Sequence, residues 1–171
     1  MKKRGGRAAG EAASDRPDPW EIAVKLLAMR ALSSEELRRR LVRRRYPPDQ
    51  ISAVLARLTA SRYLDDGEYA RAWARSRAHR RSLGPMRLTQ ELRAKGIAEG
   101  DIAAALREAF TEREAREVAA AAALRRLPAL QGLPPEAARR RLAGYLTRRG
   151  FAAEIILALC RKHFPPGDPA D

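Results

Sequence analysis

The sequence predicts an all-α protein assembled from three tandem three-helix repeats. Helix start and stop signals punctuate the chain, and no stretch between them shows sustained strand-like alternation. Aromatic residues make up only 5% of the 171 residues against a hydrophobic fraction of 45%, so the core must be built from Leu, Ile and Ala, which suit helices. A set of apolar positions also recurs at offsets of 51 and then 54 residues.

Residues 1–16 are Gly, Ala and charge without periodicity and read as a disordered basic arm. Asp18 followed by Pro19 caps a first helix that runs to about Arg30. Ser33 and Glu36 have capping-box spacing and open a second, through about Arg44. Pro47 and Pro48 end that helix and start a third, over about 49–60. Asp65 and Glu68 repeat the box for a fourth, which extends to about Arg81. Gly84 and Pro85 open a fifth, stopped by Gly96 after Lys95, and a sixth spans about 99–109. Thr111 and Glu114 box a seventh, which includes the alanine run at 119–123 and stops before Pro128. Pro134 and Pro135 open an eighth, closed by Gly150, and a ninth covers about 152–163. The Pro, Gly and Asp of 165–171 read as a disordered tail. The resulting division is an arm at 1–16, repeats at 17–64, 65–110 and 111–164, and the tail.

The second and third helices of each group align without gaps. Leu37 and Leu41 correspond to Leu88 and Leu92 and to Leu142 and Leu146. Arg44, Lys95 and Arg149 follow in the last turn, and Tyr46, Ile97 and Phe151 mark the exit. The next helix supplies Ile51, Ile102 and Ile156, then Leu55, Leu106 and Cys160. Leu at i and i+4 makes one stripe facing the group's own core. Three short helices bury little surface alone, so tandem groups gain by stacking.

Catalysis needs a constellation of reactive side chains, and the sequence offers none. His79 and His163 lie far apart with no Cys or carboxylate at metal-ligand spacing, and there is no GxxxxGK loop or GxSxG turn. Carboxylates fall mainly at helix starts (Glu35, Asp65, Glu112, Glu136), where the macrodipole explains them. No catalytic residue, cofactor or metal is expected. Cys160, the single cysteine, reads as a small buried hydrophobe among Ile155, Ile156 and Leu159. A basic N-terminus without an apolar stretch after it does not read as a secretory signal, and no apolar run reaches membrane-spanning length. A cytoplasmic monomer is expected.

The charge is more informative. Lys and Arg total 35 against 21 acids, a formal net charge of +14, which points to a polyanionic partner. With 30 Arg, 5 Lys and no Asn, codon bias explains Arg in place of Lys but not the surplus of cations. Residues 19–64 hold 10 basic and 4 acidic side chains, residues 65–110 hold 9 and 7, and residues 111–171 hold 11 and 7. The surplus is spread along the chain, as an extended partner requires. The candidate contact residues are Arg38, Arg39, Arg43 and Arg44 on the second helix, Arg71, Arg75, Arg77, Arg80 and Arg81 on the fourth, and Arg87, Arg93 and Lys95 on the fifth. Each alone reads as a solvated helix face, and as a set they favour contact with a polyanion: nucleic acid, a nucleoprotein or an anionic membrane surface. Tyr69, Trp73 and Trp20 are expected to be packing residues, with the first two between modules. An alternative is a helix-turn-helix-like DNA-binding protein, against which the Arg run lacks the Asn and Gln that read adenine.

Tyr63-Leu64-Asp65-Asp66, then Tyr69-Ala70-Arg71-Ala72-Trp73 and Arg75-Ser76-Arg77, form a long ordered motif. It continues in Gly84-Pro85-Met86-Arg87-Leu88, Glu91-Leu92-Arg93 and Lys95-Gly96-Ile97, with Ser34-Glu35-Glu36-Leu37 upstream. This series resembles the RecX family, regulators of the bacterial recombinase RecA, over about 20–164, the third repeat matching in its hydrophobic skeleton. The resemblance implies an elongated, curved molecule lying in the groove of the RecA filament on DNA, with single- and double-stranded DNA as further partners bound weakly and without sequence preference. It further implies a non-enzymatic protein that lowers RecA ATPase and strand exchange, and so modulates homologous recombination, DNA repair and the SOS response.

Overall fold

The structure, a computed structural model, describes residues 16–165, so the expected arm and tail lie, apart from Arg16 and Pro165, outside the described residues. Among those residues there are nine α-helices and no strand. Helices α1 (Pro19–Met29), α2 (Ser34–Arg43) and α3 (Pro48–Ala60) make the first group. Helices α4 (Asp66–Arg81), α5 (Pro85–Ala94) and α6 (Glu99–Ala109) make the second. The third consists of α7 (Glu112–Arg126), a 3₁₀ turn (Leu127–Leu130), α8 (Pro135–Arg148) and α9 (Ala153–His163).

Side-chain caps form at α1, α4 and α7, at α4 through Asp65 while the Glu68 carboxylate meets Arg71 and Arg75. Asp18 Oδ1 accepts from the Trp20 N–H at 2.9 Å and Asp65 Oδ1 from the Glu68 N–H at 2.7 Å. Thr111 and Glu114 complete a reciprocal box, the Thr hydroxyl accepting from Glu114 N–H and the Glu carboxylate from Thr111 N–H. Those bonds hold the Glu114 carboxyl below its ordinary pKa. Helix α7 stops before Pro128, as expected, and Pro128 sits in the 3₁₀ turn that follows, in which Leu130 is buried.

The chain falls into two compact units. The first runs to Leu64 except for Ser33–Glu35, which group with the second; the second otherwise starts at Asp65. In the first unit Leu37, Leu41, Ile51 and Leu58 pack with Ala23, Leu26 and Leu64, and Trp20 lies partly buried at the edge. Trp20 meets Tyr63 edge-on at 6.3 Å and carries the Arg57 guanidinium 3.8 Å from its ring centre.

The second unit holds two apolar clusters. In one, Ala70, Ala74 and Ala78 of α4 lie against Ala105 and Ile102 of α6, with Leu88 and Leu92 closing the space. Alanine at every fourth position lets α4 and α6 approach closely along their length. In the other, Ala119, Ala122 and Ala123 of α7 play the same part against Leu142, Leu146, Phe151 and Ile156. All six repeat-defining leucines are fully buried (0% exposed), and the exit residues Tyr46, Ile97 and Phe151 are buried as well. In each repeat the N–H of the exit residue donates to the carbonyl of the second leucine, at 3.3, 3.1 and 3.3 Å.

Within the second unit, α5 and the end of α8 meet backbone to backbone. Gly84 N–H donates to the Arg149 carbonyl at 2.7 Å and Met86 N–H to the Gly150 carbonyl at 3.1 Å. A side chain cannot fit here: a Cβ on Gly84 would collide with the Gly150 carbonyl and Phe151, and one on Gly150 with the Arg87 backbone.

Candidate functional site

Helix α2 presents Arg38, Arg39 and Arg43 exposed, because Leu37 and Leu41 turn the apolar face inward. Arg44, also exposed, lies one residue past the helix, its Nη1 donating to the Arg40 carbonyl at 3.2 Å. This set belongs to the first unit.

On α4 and α5 the candidate cations separate into two kinds. Arg71 Nε donates to Glu68 at 3.1 Å, and Arg75 reaches Glu108 at 2.6 Å and Glu68 at 3.3 Å. Arg93 grips Glu99 with two bonds of 2.6 and 2.9 Å. The hydrogen bonds raise the pKa of Arg71 and Arg93 and lower that of Glu99, so each ion is already partnered. Arg77 and Lys95 cover the Trp73 ring at 4.1 and 4.0 Å from its centre. Trp73 stacks on Tyr69 at 5.9 Å and donates its Nε1–H to Glu91 at 3.0 Å. Both aromatics belong to the second repeat's own cluster.

Arg80 and Arg81 are of the other kind, while Arg87 Nε lies 3.5 Å from the Glu91 carboxylate. All three are exposed and line a cleft of about 1020 Å³ in the second unit, where the second and third repeats meet. There they are joined by Arg125, Arg148 and Arg149. The Arg149 guanidinium bonds the Arg81 carbonyl and lies 4.6 Å from the centre of the Tyr145 ring, and Arg125 bonds the Ser82 hydroxyl. The sequence reading missed Arg125, Arg148 and Arg149, since it took from the third repeat only a hydrophobic skeleton. The register that aligned Arg149 with Lys95 and Arg44 was the available signal.

Among the described residues no group of three or more His, Cys, Asp or Glu side chains could hold a metal ion, and no helix is long and apolar enough to cross a membrane. Cys160 is buried, and desolvation pushes its thiol pKa up against the opposing field of Arg139.

Models of the first, second and third three-helix domains of RecX match residues 20–58, 65–106 and 112–160. The regulatory protein RecX of Halorhodospira halophila is 37% identical over 152 residues, covering 88% of this chain and 88% of its own length. The chain belongs to the RecX family. Regulatory protein RecX of Streptomyces coelicolor is 34% identical, over 85% of this chain and 79% of its own. A crystal structure of regulatory protein RecX superposes with a TM-score of 0.78 at 24% identity, over 82% of this chain and 70% of the other. RecX from Lactobacillus salivarius gives 0.75 at 19%, over 84% and 93%. These last two likenesses are of fold. The matches place the arginine-lined cleft between the second and third RecX domains.

Proposed function

We propose that this chain is a non-enzymatic, cytoplasmic RecX-type regulator that binds the RecA filament on DNA and lowers its ATPase and strand-exchange activity. By that route it modulates recombination, DNA repair and the SOS response. The observation that carries the reading is the match to regulatory proteins of that name across most of the chain, with three domains in series. Charge gives it physical support: exposed arginines stand on α2, at the end of α4 and at the end of α8, a distribution suited to a long nucleoprotein. The contact residues would be the exposed Arg38, Arg39, Arg43 and Arg44 in the first repeat and the exposed Arg80, Arg81 and Arg87 in the second, Arg87 standing 3.5 Å from Glu91. Arg71, Arg75 and Arg93 are engaged by carboxylates, and Arg77 and Lys95 by Trp73.

The test is a titration into the DNA-dependent ATPase of the cognate recombinase. Suppression is expected at substoichiometric to near-stoichiometric amounts. Inhibition no greater than the protein's sequestration of free DNA accounts for would overturn the reading, and a large preference for one duplex sequence would favour a helix-turn-helix-like operator binder instead.

A further inference from the structure

The geometry points to the cleft between the second and third repeats as a binding site for the sugar–phosphate backbone of a polynucleotide. The inference rests on the filament-regulator reading for its choice of partner and is tested apart from it. Six guanidinium groups reach one cleft from separate parts of the chain: Arg80 and Arg81 at the end of α4, Arg87 in the first turn of α5, Arg125 at the end of α7, and Arg148 and Arg149 at the end of α8. Among the described residues one carboxylate lines it, Glu91, already held by Arg87 at 3.5 Å and by the Trp73 N–H at 3.0 Å. Like charges gathered in a concave surface repel one another and focus a positive field. The close backbone contact of Gly84 with Gly150 keeps them together.

Helix dipoles do not account for this arrangement. A cation in the last turn of a helix is stabilised, which explains arginines at the ends of α4, α7 and α8 one helix at a time. It does not explain why these three ends converge on one cleft, and it runs against Arg87, a cation at the positive end of α5. The donors are also set in advance. Arg149 is fixed by the Arg81 carbonyl and the Tyr145 ring, and Arg125 by Ser82, each with further N–H groups to offer. The planar fork of arginine matches phosphate oxygens two at a time. A volume of about 1020 Å³ far exceeds one phosphate ion and suits several linked ones. A lining of guanidinium donors with one engaged carboxylate is chemistry for a backbone, indifferent to base sequence.

The experiment measures fluorescence anisotropy of a labelled oligothymidylate with the full chain and no recombinase. The variant Arg80→Gln/Arg81→Gln/Arg148→Gln removes exposed cleft charges; Arg38→Gln/Arg39→Gln/Arg43→Gln removes the same charge from α2. We expect the cleft variant to bind about tenfold or more weaker, and the α2 variant to lose clearly less. Equal losses would mean general charge and overturn the site. So would inorganic triphosphate, or polyglutamate, binding wild type as tightly as the oligonucleotide does. Should the Gln variant melt early, the Lys counterpart at the same three positions keeps the charge and loses the fork, and an intermediate affinity is expected. A wild type that binds the strand through these arginines but never inhibits recombinase keeps the cleft and removes the filament reading.

Discussion

Arg45 closes α2 with φ at 61°, in the left-handed region that disfavours a side chain with a Cβ. The corresponding residues of the other two repeats are Gly96 and Gly150, at 76° and 81°. The bend that lets Tyr46, Ile97 and Phe151 fold back onto their leucines is therefore common to all three, and one repeat makes it with arginine. Replacing Arg45 by Gly removes the steric cost but adds freedom to the unfolded chain. The first term is the larger, so Arg45→Gly should stabilise the first unit by about 1 kcal/mol, read as a higher urea midpoint. Gly150→Ala should do the reverse in the second unit, because its φ is positive and its Cβ would strike the Arg87 backbone. A midpoint unchanged by both would show that backbone conformation at these exits costs little.

The same exits show how far helices can be read from residues alone. Caps and stops depend on neighbours within four positions, and there the sequence is explicit: the Thr111–Glu114 box, the Asp65 cap and the Gly96 and Gly150 stops all form. The burial of both leucines on α2, α5 and α8 follows from their i, i+4 spacing. What is not local is not legible. Arg75 and Arg80 look alike along α4, yet Arg75 is neutralised by Glu108, 33 residues away, and Arg80 faces a cleft completed by α8. The 3₁₀ turn after α7 exists because Leu130 finds a buried seat, which no local signal at Pro128 announces. At this scale the decisive contacts are the leucine pairs. Leu88→Ala or Leu92→Ala, each emptying a fully buried position on α5, should cost about 2–5 kcal/mol. Leu106→Ala, half-buried at its repeat position on α6, should cost clearly less. Thermal denaturation followed by circular dichroism orders the three, and a larger loss at Leu106 would contradict the assigned core.

Across the whole chain, 35 cations are too many for all to serve one purpose, and their partners sort them. Arg75 and Arg93 on α4 and α5, like Arg113 and Arg116 on α7, sit within 2.6–2.8 Å of a carboxylate. Exposed pairs of this kind add little stability, but an arginine in one must give up its carboxylate before it can meet a phosphate. Among the described residues no ion pair engages Arg80 or Arg81, so they have no such exchange to make. Counterion release tells the two kinds apart, because each phosphate neutralised on a single strand contributes about −0.7 to the slope of log K against log salt. Arg80→Gln with Arg81→Gln should therefore flatten the slope for an oligothymidylate by about 1.4 for two lost contacts. Arg75→Gln with Arg93→Gln removes the same formal charge and should leave the slope where it was. If the paired set flattens it as far as the cleft set, those ion pairs open when DNA binds, and the net charge of +14 acts as a whole instead of through the residues that the fold leaves unpaired.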